Sequence, residues 1–180
     1  KWGASKDALT GKGTLEEAFY AAKESSEVKY IQLQRDVSTA KAHTITGGSF
    51  TLDLNGNTVK CRSDENTIII SGENTEVVII DNSDNQNGSI INTKTSAVLV
   101  NQGKVTISGG TYESGGGALF CSIETYGTLT ITGGNFITNN SQAIAYGGGK
   151  LDLSSHPNPN GISVYNKADD LTVGADNIIL

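Results

Sequence analysis

The densest run of oxygen-bearing side chains in the sequence is the segment DNSDNQNG at residues 81–88. Ca²⁺ binds about six to eight oxygen atoms, and side-chain oxygens are offered here by Asp81, Ser83, Asp84, Asn85 and Asn87. The EF-hand spacing is not followed, because Gln86 stands at the position of its Gly and Asn92 at that of its Glu. The alternative is an extended turn whose side chains bond to the loop backbone, and we favour this turn over a calcium site.

Two carboxylates occupy equivalent positions in the tripeptide LDL, Asp53 at residues 52–54 and Asp152 at residues 151–153. Hydrolysis of a glycosidic bond requires two carboxyl groups that face one cleft. Whether these two acids can cooperate depends on the fold that positions them.

Aromatic side chains offer a third kind of chemistry, because an exposed ring can stack on the face of a sugar. Tyr126 lies in the segment SIETYGT, where we expect a long turn, and is our candidate for glycan binding. Tyr112 and Phe136 repeat at equivalent positions and are predicted to pack in the core, and Tyr146 aligns with the apolar Val100.

A repeat of short strands must position these residues. Pairs of apolar residues that flank one other residue recur at intervals of 20–27 residues. The pairs are Ile31/Leu33, Leu52/Leu54, Val78/Ile80, Val105/Ile107, Leu129/Ile131, Leu151/Leu153 and Leu171/Val173. Residues that tolerate tight turns follow the pairs, among them Gly56, Asn82, Gly109 and Gly133. Such a period is typical of solenoid proteins.

A further strand recurs when residues 97–107 are aligned with residues 143–153, two repeats later. Three short strands per repeat predict an all-β fold, a single-stranded right-handed parallel β-helix of about seven coils. Asp53 and Asp152 are then expected in one outward-facing column, four coils or about 19 Å apart. That separation is too large for a glycosidase pair.

The start of the chain has a different pattern. Thr14 and Glu17 form a predicted capping box, and Leu15, Ala18, Phe19 and Ala22 follow helical spacing. We predict one amphipathic helix that covers the open end of the β-helix. The sequence is therefore divided into an N-terminal segment with a capping helix, residues 1–28, and a parallel β-helix, residues 29–180.

Composition restricts the function classes. The net charge of −6 and the presence of only two arginines argue against nucleic-acid binding. No apolar run is long enough for a membrane span. The chain has no Met, and we expect it to be part of a longer, exported protein with neighbouring domains. Cys61 and Cys121 are predicted on different faces of the solenoid, about two coils apart, as buried thiols rather than a disulfide.

The repeated phrases resemble the secreted β-helix proteins of bacterial surfaces, within the broad pectate-lyase-like superfamily. The resemblance covers about residues 13–173 and is carried by TLEEAFYAA, YIQLQRDV, FTLDLNGNTV, VVIIDNSDNQNGSI, KVTISGGTY and TLTITGGNF. It implies an extracellular or cell-surface location in a bacterium. Lyases of this superfamily use Arg or Lys beside a calcium cluster, and its hydrolases use several Asp with His and Arg. His43 and His156 lack the Gly-His-Gly setting of the hydrolases.

The function predicted from sequence is a non-catalytic extracellular β-helix module that acts as an adhesin, a stalk or a glycan-binding surface. The expected partner is a polysaccharide or host glycan, with Tyr126, Asp53 and Asp152 as candidate contacts and no required cofactor, Ca²⁺ remaining an option at residues 81–88. The alternative is a polysaccharide lyase or glycoside hydrolase, or the scaffold part of one.

Overall fold

The computed structural model describes residues 1–116, 121–139, 142–166 and 178–179. Over these residues the chain winds into a parallel β-helix with three sheets along its length. Each complete turn contributes one strand to each sheet, and every such strand pairs in parallel with the matching strand of the next turn. The predicted all-β parallel β-helix is confirmed.

Each sheet takes its strands from successive turns. In the first sheet the parallel strands are β3 (Tyr30–Gln32), β6 (Ser49–Asp53), β9 (Glu76–Ile80), β12 (Lys104–Ile107), β15 (Thr128–Ile131), β18 (Lys150–Asp152) and β20 (Ile178–Ile179). The second sheet contains β4 (Val37–Thr39), β7 (Thr58–Cys61), β10 (Ser89–Asn92), β13 (Thr111–Ser114) and β16 (Asn135–Thr138). The third sheet contains β5 (His43–Ile45), β8 (Ile68–Ile70), β11 (Val98–Val100), β14 (Ile123–Thr125), β17 (Ile144–Tyr146) and β19 (Val164–Asn166).

The described residues form about five complete turns, fewer than the seven predicted. After β18 the chain forms a short 3-10 helix, Pro159–Gly161, before it enters β19 of the third sheet. Pro157 and Pro159 lack the backbone N–H that a ladder strand must donate, which explains why no second-sheet strand forms here. The predicted pair Leu171/Val173 lies outside the described residues.

The inner face of the first sheet is a continuous apolar column. Its in-register members are Ile31, Leu52, Ile79, Ile107 and Ile131, all essentially inaccessible to solvent. The predicted inward pair Val78/Ile80 was wrong by one residue, because Val77 and Ile79 are the buried pair. Four consecutive apolar residues, VVII, contain no alternation that could reveal the register.

The repeated Gly-Gly dipeptides make the corner between the first and second sheets. The second glycine of each pair has positive φ, +87° at Gly110 and +104° at Gly134. Gly109 and Gly133, which the sequence pattern singled out, do not have positive φ. A Cβ atom at Gly110 would also lie 2.7 Å from Leu54 Cδ1 of an earlier turn. The corner therefore requires glycine for two separate reasons.

The predicted capping helix is confirmed as α1 (Leu15–Glu24). The Glu17 amide donates to Thr14 Oγ1, and the Thr14 amide donates to Glu17 Oε2 at 2.7 Å. The buried face consists of Leu15, Ala18, Phe19 and Ala22, and the Phe19 ring lies 5.8 Å from that of Phe50 in β6. The helix thus covers the apolar interior of the first turns.

A hairpin that the sequence did not reveal completes this end of the molecule. Strand β1 (Trp2–Gly3) pairs antiparallel with both β2 (Leu9–Gly11) and β3. It therefore satisfies the edge of the first parallel sheet, which would otherwise expose unpaired backbone groups.

The interior positions predicted for aromatic residues and cysteines agree with the structure. Tyr112 is fully buried and stacks on Phe136, with 5.4 Å between ring centroids. Tyr146 is fully buried, and its hydroxyl donates to the Gly149 carbonyl. Cys61 in the second sheet and Cys121 beside the third are buried thiols. These side chains contribute to packing.

Candidate functional site

The segment 81–88 is organised around the carboxylate of Asp81. Asp81 Oδ1 accepts hydrogen bonds from the amides of Gly56 at 2.8 Å and Ser83 at 3.2 Å, and Oδ2 accepts one from Gly88 at 2.6 Å. Burial opposes ionisation of Asp81, but these amide donors outweigh it and hold the carboxyl pKa below its ordinary value. Asp81 thereby closes the loop and ties it to the preceding turn.

The other residues proposed as calcium ligands lie around this closed turn. Asp84, Asn85 and Asn87 are exposed and Ser83 is half-buried. Within the described part of the chain, no group of three or more His, Cys, Asp or Glu side chains is close enough to hold a metal ion. Calcium binding here remains a prediction, and it would have to use exposed side chains around an Asp81 already bonded to amides.

Asp53 lies on the outward face of β6, yet it is completely buried. Its Oδ2 atom accepts from the Tyr30 hydroxyl at 2.7 Å and from Gln32 Nε2 at 3.1 Å. Its Oδ1 atom accepts from the amides of Asn55 and Asn82. Burial and the Asp53 carboxylate raise the pKa of Tyr30 to about 12, which keeps the phenol a proton donor. Both oxygens of Asp53 are therefore engaged in joining neighbouring turns.

Asp152 is not brought together with Asp53. Asp152 on β18 aligns with Thr130, whereas Asp53 aligns with Gln32 and Ile80, so the two acids occupy neighbouring columns rather than the predicted single one. Four strand spacings, about 19 Å, separate their strands. Hydrogen bonds from the Ser154 hydroxyl and amide hold the pKa of Asp152 below its usual range. The separation is too large for a pair that cleaves a glycosidic bond.

Tyr126 lies at the outer surface, directly after β14, with 42% of its surface exposed. Its hydroxyl donates to Glu124 Oε1 at 2.7 Å. The ring lies against the backbone of Gly147 in the next turn, where any side chain would overlap it. The ring is thus held at both its hydroxyl end and its edge.

A second exposed aromatic residue lies on the same face. The outward positions of the third sheet align in register as Thr44, Ile69, Leu99, Glu124, Ala145 and Tyr165. Tyr165 is 50% exposed and lies two strand spacings, about 10 Å, from Glu124. The small residues Ala145 and Gly147 lie between the two tyrosines. We call Glu124, Tyr126, Ala145, Gly147 and Tyr165 the tyrosine platform.

The structure contains a cavity that the sequence did not predict. It lies beside the start of α1 and the first turn, has a volume of about 730 Å³, and is called here the cap cavity. Its polar wall includes Lys12, Glu16, Gln32, Arg35, Asp36 and His43. These residues are up to 31 positions apart in sequence, and only the packing of the cap on the first turn unites them.

His43 is the buried member of this wall. It is 1% exposed, and its Nδ1 atom lies 2.8 Å from Glu16 Oε1. Burial lowers the pKa of His43, and the Glu16 carboxylate offsets part of that shift. Alternation in KAHTI places His43 on the same inward face as Ile45, which is the one sequence signal for its burial.

Comparisons of the chain with family models, with curated proteins and with solved structures found no match. In the portion of the chain that the structure describes, no helix has both the length and the apolar character needed to cross a membrane.

Proposed function

We propose that this protein is a non-catalytic, extracellular β-helix module that binds glycans through the tyrosine platform. The observation that carries the proposal is the fixed, exposed ring of Tyr126 on the outer surface of a rigid sheet. A ring that is already immobilised loses little conformational entropy when a ligand stacks on it.

The chemistry of the platform suits a sugar. An aromatic face stacks on the C–H face of a pyranose ring, while a neighbouring carboxylate accepts hydrogen bonds from its hydroxyl groups. Tyr126 and Tyr165 supply two rings, and Glu124 lies beside them. Ala145 and Gly147, the residues between the rings, contribute no large side chain.

An extracellular setting is supported by the acidic composition and by the resemblance to secreted bacterial β-helix proteins of the pectate-lyase-like superfamily. The alternative of a polysaccharide lyase or hydrolase requires an assembled catalytic group. The 19 Å separation of Asp53 and Asp152 and their local hydrogen bonds favour binding over cleavage.

A glycan array probed with this chain, with and without Ca²⁺, tests the proposal. We expect a glycan to bind without being cleaved on prolonged incubation. Tyr126→Ala should weaken binding at least about tenfold, and Tyr126→Phe less, because the ring remains. Tyr20→Ala is the matched control, since Tyr20 is 66% exposed on the capping helix, away from the platform.

Cleavage products would overturn the non-catalytic assignment. If Tyr126→Ala binds the glycan as tightly as the unmodified chain does, the tyrosine platform is not the binding site. If binding strictly requires Ca²⁺, residues 81–88 become the candidate binding site. If no glycan on the array binds, we would describe the module as a stalk.

A further inference from the structure

The cap cavity has the dimensions of a small-molecule site. Its volume of about 730 Å³ lies within the usual range of roughly 300–1,000 Å³ for ligand pockets. The floor is apolar, formed in part by Leu15, Ala18 and Ile31, while the wall is polar. An apolar base with a few convergent polar groups is the usual composition of a binding site.

The charge of the cavity differs from that of the whole chain. The cavity is lined by three basic side chains, Lys1, Lys12 and Arg35, and by two carboxylates, Glu16 and Asp36. The protein as a whole carries a net charge of −6. Asp36 is engaged, because its Oδ1 atom accepts from the Thr58 amide at 2.8 Å. Arg35 forms no ion pair with any residue that the structure describes. Its guanidinium group is therefore available to a carboxylate, which it can bind through two parallel hydrogen bonds.

Glu16 is the second group with capacity for a ligand. Its Oε1 atom contacts Nδ1 of the buried His43 at 2.8 Å, and this contact limits the freedom of an otherwise exposed side chain. Its Oε2 atom makes no hydrogen bond within the described residues, so it can accept one from a hydroxyl group. Beneath it, His43 Nε2 is buried and has no hydrogen-bond partner among those residues. Because this nitrogen is inaccessible, His43 acts on the site through its Nδ1 contact with Glu16.

We propose that the cap cavity binds a hydroxycarboxylate of monosaccharide size, with Arg35 pairing its carboxylate, Glu16 accepting from a hydroxyl group and His43 positioning Glu16. A ligand that carries both a carboxylate and hydroxyl groups engages the guanidinium group of Arg35 and the carboxylate of Glu16 together. This site is separate from the tyrosine platform and does not rest on the proposed function.

Titration of the intact, ¹⁵N-labelled chain by NMR tests the proposal, with D-glucuronate as the probe and D-glucose as its neutral match. We expect saturable shifts for glucuronate at the amides around Glu16, Arg35 and His43, and none for glucose. Arg35→Gln should weaken glucuronate binding at least about tenfold. Arg62→Gln replaces the other arginine of the chain, which does not line the cavity, and should leave the affinity unchanged.

Two further measurements separate the roles. Glu16→Ala should lower the preference for glucuronate over acetate. Glucuronate loses the hydrogen bond from its hydroxyl group to Glu16, whereas acetate has no hydroxyl group. Tyr126→Ala should leave glucuronate binding unaffected, so failure of this site and failure of the platform are distinguishable. The spectrum of each variant also reports whether it remains folded.

The proposal is overturned by glucose binding as well as glucuronate, by an Arg35→Gln affinity equal to that of Arg62→Gln, or by the absence of saturable shifts. Inorganic phosphate that binds as tightly as glucuronate would reveal a general anion site and would also overturn it.

Discussion

At the residue scale, the most informative side chains are buried acids that act as structural links. Asp53 and Asp81 each accept hydrogen bonds from neighbouring turns. The donors to Asp53 include Gln32 and Asn82, and a donor to Asp81 is Gly56. A carboxylate in a loop is easily assigned to metal binding or catalysis. Here amide donors, and for Asp53 also the Tyr30 hydroxyl, account for both oxygens of each acid. Hydrogen bonds to a charged group are stronger than neutral ones.

Replacement of Asp81 by Asn should destabilise the protein by about 1–3 kcal/mol, because the Asn amide cannot accept at both of its ends. Urea unfolding measures this loss. Asp84→Asn in the same segment is the control and should stay within about 0.5 kcal/mol, since Asp84 is exposed.

The pH dependence of the Asp81 variant follows from the lowered pKa. The unfolded chain binds a proton near the usual value of 3.8 while folded Asp81 resists protonation, so the stabilisation is complete above that pH and is lost as the pH falls through the folded pKa. Asp81→Asn should lose less stability than the unmodified protein over this acid range. Parallel acid profiles for the two proteins would contradict the assignment.

His43 predicts a second pH effect, at higher pH. Its lowered pKa means that the unfolded chain takes up a proton at about 6.5, before the folded protein does, so stability falls as the pH drops through and below 6.5. Urea unfolding on either side of that pH should show the decline, and His43→Gln should reduce it. His156→Gln, which removes the other histidine, is the control variant.

An NMR titration of His43 in the unmodified protein gives an independent result if the His43→Gln variant does not fold. A midpoint at or above 6.5 would refute this prediction.

At the element scale, the turns decide how the strands stack. The corner after β12 requires Gly110 for its positive φ and for its close approach to Leu54. The neighbouring Gly109 has an ordinary φ, although a Cβ atom there would lie 3.1 Å from the Asp81 amide nitrogen. The two glycines of one dipeptide therefore have different roles.

Gly110→Ala should destabilise the protein by about 1–3 kcal/mol, because alanine is strained at positive φ and its methyl group would overlap Leu54. Gly109→Ala should cost less, since only a small displacement is required. Guanidinium unfolding of the pair measures the difference. A larger loss for Gly109→Ala would show that the corner conformation has been assigned to the wrong glycine.

At the scale of the whole molecule, each turn contacts mainly its two neighbours, and the core is a stack of apolar columns. Stability in such a solenoid comes from the interfaces between turns. Central turns have a neighbour on both sides, whereas the first is covered by α1 and the hairpin. Protection against hydrogen exchange should therefore be greatest in β9 and β12 and lower in β17 and β19.

Ile107→Ala tests this organisation, because Ile107 is fully buried in the central column between Ile79 and Ile131. The cavity should cost about 2–5 kcal/mol, and hydrogen exchange followed by mass spectrometry should show lost protection in the adjacent turns. Ile137→Ala is the matched control, since Ile137 is 51% exposed on the outer face of β16. Loss of protection confined to β12 alone would argue against coupling between turns.

The sequence by itself determined the repeat, the β-helix, the capping helix and the inward positions of Tyr112, Tyr146 and the cysteines, because these depend on periodicity, capping and local turn chemistry. Only the tertiary structure decided the register of VVII, the hairpin over the first sheet, the five complete turns, the burial of Asp53 and Asp81, and the cap cavity. The physical reason is the same throughout: the partners of these residues lie in neighbouring turns or in the cap, mostly 20 or more positions away. Residues this far apart in sequence come into contact only when the turns stack.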